Sequence, residues 1–263
     1  MSFVPNPSDR RALDVTDDAV LGGRLKLKQP ARGHRVGHDA ILLAAAISAA
    51  AGDLAVDLGS GVGSAGLALA ARVAGVRIAL VERDGDLSAL AEENIGRNGF
   101  ADRAHAFALD VTAPQQTFAA AGLHQGCADH VLMNPPFNDP ARHNRSPDAG
   151  RRAAHMSPPL ALESWTETAS RLLRPGGVLT VIWRAEGLVQ VLAALEARFG
   201  GLAVLPVHSV AAKPAIRVLV RAIKGSAAPL RLQPSLLLQQ ADGKPTSAAE
   251  AILRNGEALA LAE

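Results

Sequence analysis

The sequence lacks several features that mark whole classes of protein. Only one cysteine, Cys127, stands in 263 residues, so no internal disulfide framework can form. The polar opening "MSFVPNPSDRR" has no apolar core of the kind a secretion signal needs. Together these absences give the expectation of a reducing, cytoplasmic setting. The longest suspicious apolar run, "AILLAAAISAAAG" from Ala40 to Gly52, is too short to cross a bilayer and reads as a buried helix rich in small residues. No membrane partner is expected. His143 and His155 lie among arginines with no carboxylate or cysteine at metal-ligand spacing, so no metal is expected either. No nucleophile-elbow pattern surrounds a serine, which leaves covalent catalysis without support. There is no internal repeat, and no large charge of either sign: the net charge is +2 with a pI near 9.0. That balance neither demands nor excludes a polyanionic partner.

What is present fits one large globular domain with appendages, since 48% of residues are hydrophobic and 20% charged. After the polar leader, "AVLGGRLKLKQ" places short apolar runs on either side of Gly22 and Gly23, the signature of a hairpin that carries Arg24, Lys26 and Lys28. Asp39 is placed to cap the Ala-rich helix. From Leu54 onward, strand candidates alternate with helical stretches: "LAVDL", "VRIALVE", "AHAFALD", "DHVLMN" and "VLTVIWR". Such alternation specifies a doubly wound, mostly parallel α/β sheet. The last two strand candidates, "LAVLPVH" and "IRVLVRAI", are joined by a loop too short for a helical crossover, so one of them should run antiparallel near the sheet edge. The expected division is an arm with a basic hairpin over 1–35, a catalytic domain of seven strands over 36–223, and an extension over 224–263 that packs on it and holds a helix at Ala248 to Asn255.

Two motifs carry chemistry. "VDLGSGVGSAGLALA" is a strand, a glycine turn and a helix start, in which backbone N–H groups face a ligand unobstructed by Cβ atoms. Gly61, Gly63 and Gly66 match the dinucleotide fingerprint, with Glu82 suitably spaced to hold ribose hydroxyls, so NAD is credible on this evidence alone. Asp57, two residues before Gly59, argues for a different adenosyl cofactor: a carboxylate there repels a pyrophosphate but suits the cationic amino acid part of S-adenosylmethionine. A second strand-end acid, Asp110, is placed to accept from an adenine amino group. The other motif is "NPPF": Asn134, Pro135, Pro136 and Phe137. Proline lacks an N–H and holds the residue before it extended, so Asn134 and Pro135 are stiffly presented at a strand end.

Asp57, Gly59, Ser60, Gly61, Gly63, Glu82, Asp110 and the Asn134 to Phe137 stretch, in this order at successive strand ends, resemble the class I S-adenosylmethionine-dependent methyltransferases that modify amines. "RVGHDAILLAAA", "SPDAGRRAAH" and "LRLQPSLLLQQADGKPTSAAEAILRNG" more narrowly resemble the bacterial tRNA1(Val) adenine-N6-methyltransferase family, which methylates the adenosine 3′ to the anticodon. That family usually carries NPPY, so the aromatic face is kept here and a hydroxyl is lost. The resemblance implies a Rossmann-like fold, S-adenosylmethionine bound by Asp57, Gly59, Ser60, Gly61, Gly63, Glu82, Asp110 and Asn134, and an acceptor adenine held by Asn134 and Pro135 and stacked on Phe137. Basic residues flank this site: Arg24, Lys26, Lys28, Arg32 and Arg35 on one side, Arg142, Arg145, Arg151 and Arg152 on the other. Clustered cations of this kind suit a tRNA backbone. A protein glutamine N5, a ribosomal guanine N2 and a non-catalytic RNA-binding role remain open at this stage.

Overall fold

Seven of the chain's apolar segments assemble into one sheet in the computed structural model, which describes residues 14–32, 36–136 and 158–262. A separate hairpin comes first, with β1 (Val15–Val20) antiparallel to β2 (Leu25–Pro30). Its turn holds Leu21, Gly22 and Gly23 at φ values of 52°, 64° and 91°, and a Cβ at Gly22 would lie 2.9 Å from the Arg254 carbonyl oxygen. Glycine is therefore required there on two counts.

The chain continues through α1 (His38–Ala45), β3 (Leu54–Leu58), α2 (Ser64–Arg72), β4 (Arg77–Glu82), α3 (Gly85–Arg97), β5 (Ala104–Ala108), α4 (Gln115–Ala120) and β6 (Ala128–Met133). There follow α5 (Pro158–Leu172), β7 (Leu173–Arg184), α6 (Leu188–Glu196), β8 (Phe199–His208), β9 (Ala215–Lys224), β10 (Arg231–Leu232), β11 (Leu236–Leu237) and α7 (Ser247–Leu253). In space the main strands run β8-β9-β7-β6-β3-β4-β5. All are parallel except β9, which lies second from the edge and pairs antiparallel with both β7 and β8. This is the Rossmann-like arrangement of class I methyltransferases. The expected seven strands are extended to nine, because β10 and β11 each add two residues in parallel to the outer side of β8.

Alternation along the strands feeds two cores. Ala55 of β3 faces a core made with α1, α2, α3, the hairpin leucines Leu25 and Leu27, and Ile252 of α7. Val56 and Leu58 face the other, with Phe118 of α4, Leu162 of α5 and Val191 of α6. The hairpin and the C-terminal helix thus share one face of the sheet. Among the described residues no helix is long and apolar enough to cross a membrane.

Two local expectations need correction. Gly37, not Asp39, is the N-cap of α1, and the Asp39 carboxylate instead accepts from Arg217 Nε of β9 at 2.8 Å. The same helix stops at Ala45 and does not use the rest of the alanine-rich run. Pro175, Gly176 and Gly177 lie inside β7, where the pairing with β6 shifts register between Ala128 and His130 to absorb them.

Candidate active site

The glycine turn leaves β3 at the carboxyl edge of the sheet, the edge at which open α/β folds bind ligands. The N–H groups of Gly59 and Ser60 donate to the Val81 carbonyl at 2.8 and 3.0 Å, which pins the turn to the end of β4. Gly59, Gly61 and Gly63 have φ values of 69°, 57° and 87°. Their open sides differ. A Cβ at Gly63 would lie 2.7 Å from Leu80 Cδ1, and one at Gly66 would overlap Leu80 Cδ2, so these two let α2 close on β4. At Gly61 a Cβ would meet nothing within 4 Å. Gly61 is the member of the fingerprint whose bare face looks into free space. Beside it, Ser60 Oγ is buried with no hydrogen-bond partner among the described residues.

The predicted acids stand around this turn. Asp57 is 2% exposed and lies beneath the turn, its Oδ2 accepting from Gly66 N at 2.9 Å. Burial raises its pKa to about 7; the bond from Gly66 opposes the rise, and the nearby charge of Glu82 adds to it. Glu82 accepts from Gly61 N through Oε2 and from Asp84 N through Oε1, both at 2.9 Å, so the predicted ribose ligand here braces the backbone of the turn. Asp110 accepts from Thr112 N and Thr112 Oγ1 at 2.8 and 2.7 Å, both on Oδ1. Burial pushes its carboxyl up, but these bonds and the charge of Arg83 outweigh it and hold the pKa below the usual value.

Asn134 joins them through strand register. Met133 of β6 pairs with Leu58 of β3, so the next residues on the two chains, Asn134 and Gly59, leave adjacent strands at the same level. Asn134 is half-buried, Pro135 buried and Pro136 exposed. Arg32 is exposed after the hairpin. Phe137, Arg35, Arg142, Arg145, Arg151 and Arg152 lie outside the described residues, as do His143 and His155. Among the described residues no group of three potential metal ligands converges.

Sequence reasoning missed two contributors. Trp165 of α5 lies directly on the turn: a Cβ at Gly59 would overlap its indole, so Gly59 is small because a ring packs on it. The available signal was a tryptophan in the helix after the NPPF stretch, in a chain with 3% aromatic residues. The second is a pair of asparagines, Asn94 on α3 and Asn98 at its C-cap. Asn98 accepts from Lys26 N at 2.9 Å and donates to Lys26 O at 2.7 Å; Asn94 does the same for Lys28 at 2.7 and 2.9 Å. Each amide thus pairs with the edge of β2 as a neighbouring strand would. Asn94, wholly buried, also donates to Val62 O at 3.1 Å, which ties the basic hairpin to the glycine turn.

Comparison with known proteins gives the family. The family model described as the methyltransferase small domain matches residues 34–209. A tRNA1(Val) (adenine(37)-N6)-methyltransferase of Tolumonas auensis is 32% identical over 161 residues, 60% of this chain and 63% of the relative. One from Pectobacterium carotovorum is 34% identical over 151 residues, 56% of this chain and 57% of the relative. The chain thus spans somewhat over half the length of these curated relatives. Among solved structures, a predicted O-methyltransferase from Agrobacterium tumefaciens superposes with a TM-score of 0.71 at 30% identity, covering 84% of this chain and 98% of that one. A T. thermophilus 16S rRNA N2 methyltransferase, solved with AdoMet and guanosine, shares the fold at a TM-score of 0.54 and 18% identity, covering 80% of this chain and 50% of that one. With the family model matching residues 34–209, well over half of its length, the chain belongs to the methyltransferase small domain family.

Proposed function

We propose that the chain is an S-adenosylmethionine-dependent N-methyltransferase acting on N6 of an adenosine in tRNA. The observation that carries this reading is the pairing of Leu58 with Met133, which sets Asn134 beside the glycine turn. The residues present fit the cofactor: Gly61 offers a bare backbone face, Ser60 an unpartnered hydroxyl, and Glu82 and Asp110 carboxylates at the ends of β4 and just past β5. Bound there, S-adenosylmethionine supplies an electrophilic methyl group on a sulfonium. Glu82 holds ribose hydroxyls in exchange for its bond to Gly61, and Asp110 accepts from the adenine amine. NAD is the weaker fit, because the amine-presenting strand end beside the turn has no part in hydride transfer.

An adenine N6 is a poor nucleophile, its lone pair being delocalised into the ring. Asn134 Oδ1 and the Pro135 carbonyl accept its two hydrogens and hold the nitrogen toward the methyl group. Asn is neutral, and the proton leaves after transfer, so no general base is assigned. Phe137 stacks on the base after it is splayed from its loop. Residues 36–223 form the catalytic unit, with 1–35 and 224–263 as appendages on it. Arg32, Arg35, Arg142, Arg145, Arg151 and Arg152 contact RNA phosphates. The names of the Tolumonas and Pectobacterium relatives support the choice of tRNA and of adenine N6.

The test is labelled methyl transfer to bulk tRNA, ribosomal RNA and release-factor protein by the wild type and by Asn134→Ala. Transfer to tRNA is expected, and its loss in the variant by about 3 to 4 kcal/mol of barrier, with folding and S-adenosylhomocysteine affinity retained. Transfer to protein or ribosomal RNA alone replaces the substrate assignment. Near wild-type turnover by Asn134→Ala removes the catalytic role of that residue.

A further inference from the structure

The carboxyl edge of the sheet continues past Asn134, across β7, to the start of β9 and the end of β8. There His38 of α1, Ser209 just past β8, Leu238 and Gln239 just past β11, and the C-terminal helix α7 line a cavity of about 510 Å³. Ile216, Leu238, Leu253, Pro245 and Ala249 give it apolar wall, Gln239, Ser209 and His38 present amide, hydroxyl and imidazole groups, and the paired charges of Glu250 and Arg254, 4.0 Å apart, complete the lining. Ile216 is 41% exposed. A second cavity of about 420 Å³ shares His38, Leu253 and Arg254 with the first and runs on to the hairpin turn at Leu21, Gly22 and Gly23. The two cavities adjoin at these shared residues.

We infer that this cavity receives a second, unpaired nucleobase of the RNA whose adenosine is methylated. The inference rests on the tRNA reading above and extends it. Apolar walls with a few groups able to donate and accept match a base, which has apolar faces and a hydrogen-bonding rim. The volume is that of a small-molecule site, larger than a single base needs and far smaller than a folded domain requires. Position points to the same occupant. Asn134 lies level with Leu219 of β9 through the pairs Met133 with Val181 and Val181 with Val220, and Ile216 stands three residues further toward the carboxyl edge. Two strand spacings across and three residues along give a separation of roughly 14 Å, which an unstacked RNA strand covers in a few nucleotides. Splaying the target adenosine out of its loop unstacks its neighbours, and an apolar cleft at that distance takes one of them up.

The side chains that matter are accessible. Ile216→Asp and Gln239→Ala change exposed positions outside both cores, and neither residue belongs to the proposed cofactor or acceptor site. The experiment measures KM and binding of a tRNA anticodon stem-loop, intact or with single abasic replacements flanking the target adenosine, using the full chain. Ile216→Asp is expected to raise KM and Kd for the intact stem-loop about tenfold, with thermal midpoint and S-adenosylhomocysteine affinity unchanged. One abasic position should weaken binding to wild type by a similar factor and add nothing further in the variant, since the pocket is already lost. Equal KM for wild type and both variants, or an abasic penalty identical in wild type and Ile216→Asp, overturns the inference while wild-type tRNA methylation keeps the functional reading. If wild type neither binds nor methylates tRNA, both fall. If a release-factor peptide, not RNA, loses affinity in the variant, the cavity is a peptide site and the inference is likewise overturned.

Discussion

Asp57 is buried beneath a glycine turn with its pKa raised from 3.8 to about 7, and this gives the protein a stability that depends on pH in a defined direction. The folded state holds a proton that the unfolded chain has already released. The contribution is therefore full below pH 3.8, falls as pH rises, and is lost once pH passes about 7. Over the whole span this amounts to on the order of 4 kcal/mol, of which about 2 to 3 kcal/mol falls between pH 5 and 8. Asp57→Asn keeps an oxygen to accept from Gly66 N, cannot ionise, and removes the repulsion with Glu82. Urea unfolding of both proteins at pH 5, 6, 7 and 8 is the assay. The variant should gain on wild type by about 2 to 3 kcal/mol across that range. A constant gap between the two at pH 5 and pH 8 would falsify the assignment. A second arm separates support of the turn from contact with the cofactor: a cationic amino group resting near Asp57 favours its ionised form, so S-adenosylhomocysteine affinity should rise through pH 7 in wild type and stay flat in the variant. Flat profiles in both leave Asp57 as support for the turn alone.

Gly59→Ala combines a positive φ with overlap on Trp165, and should destabilise the protein by about 2 to 4 kcal/mol and displace the indole, read as a change in tryptophan emission. Trp165→Ala in the same chain should recover part of that loss; strictly additive effects would show that the two residues do not share the contact. Asn94→Ala leaves Lys28 N, Lys28 O and Val62 O without their side-chain partner. It should cost about 2 to 4 kcal/mol and raise amide exchange in the hairpin before the central strands, whereas uniform protection loss would mean that the hairpin does not open on its own.

The parts of this fold legible in the sequence are those that repeat a local rule. Branched and aliphatic strands alternating with helices announce a parallel sheet, and the short loop between "LAVLPVH" and "IRVLVRAI" announces the antiparallel β9. The glycine turn and the strand ending at Asn134 are likewise local, each being a backbone demand written in Gly or Pro. What escaped depends on partners far along the chain. Asp39 looks like a helix cap from its neighbours, but Arg217, 178 residues away, takes its carboxylate, and Gly37 opens the helix. Gly59 reads as a glycine needed by a ligand, and in space the need is set by a ring from α5. Asn94 and Asn98 carry no charge and no periodic signal, yet by pairing with Lys28 and Lys26 they anchor an otherwise separate hairpin. The two-residue strands β10 and β11 are too short for any alternation to show, and exist because the edge of β8 offers them partners. Candidate chemistry was therefore readable wherever one residue type and one backbone constraint coincide. The supports that hold this chemistry in place, Trp165 over the turn and Asn94 beneath the hairpin, belong to tertiary contacts and become visible only when strand register brings the elements together.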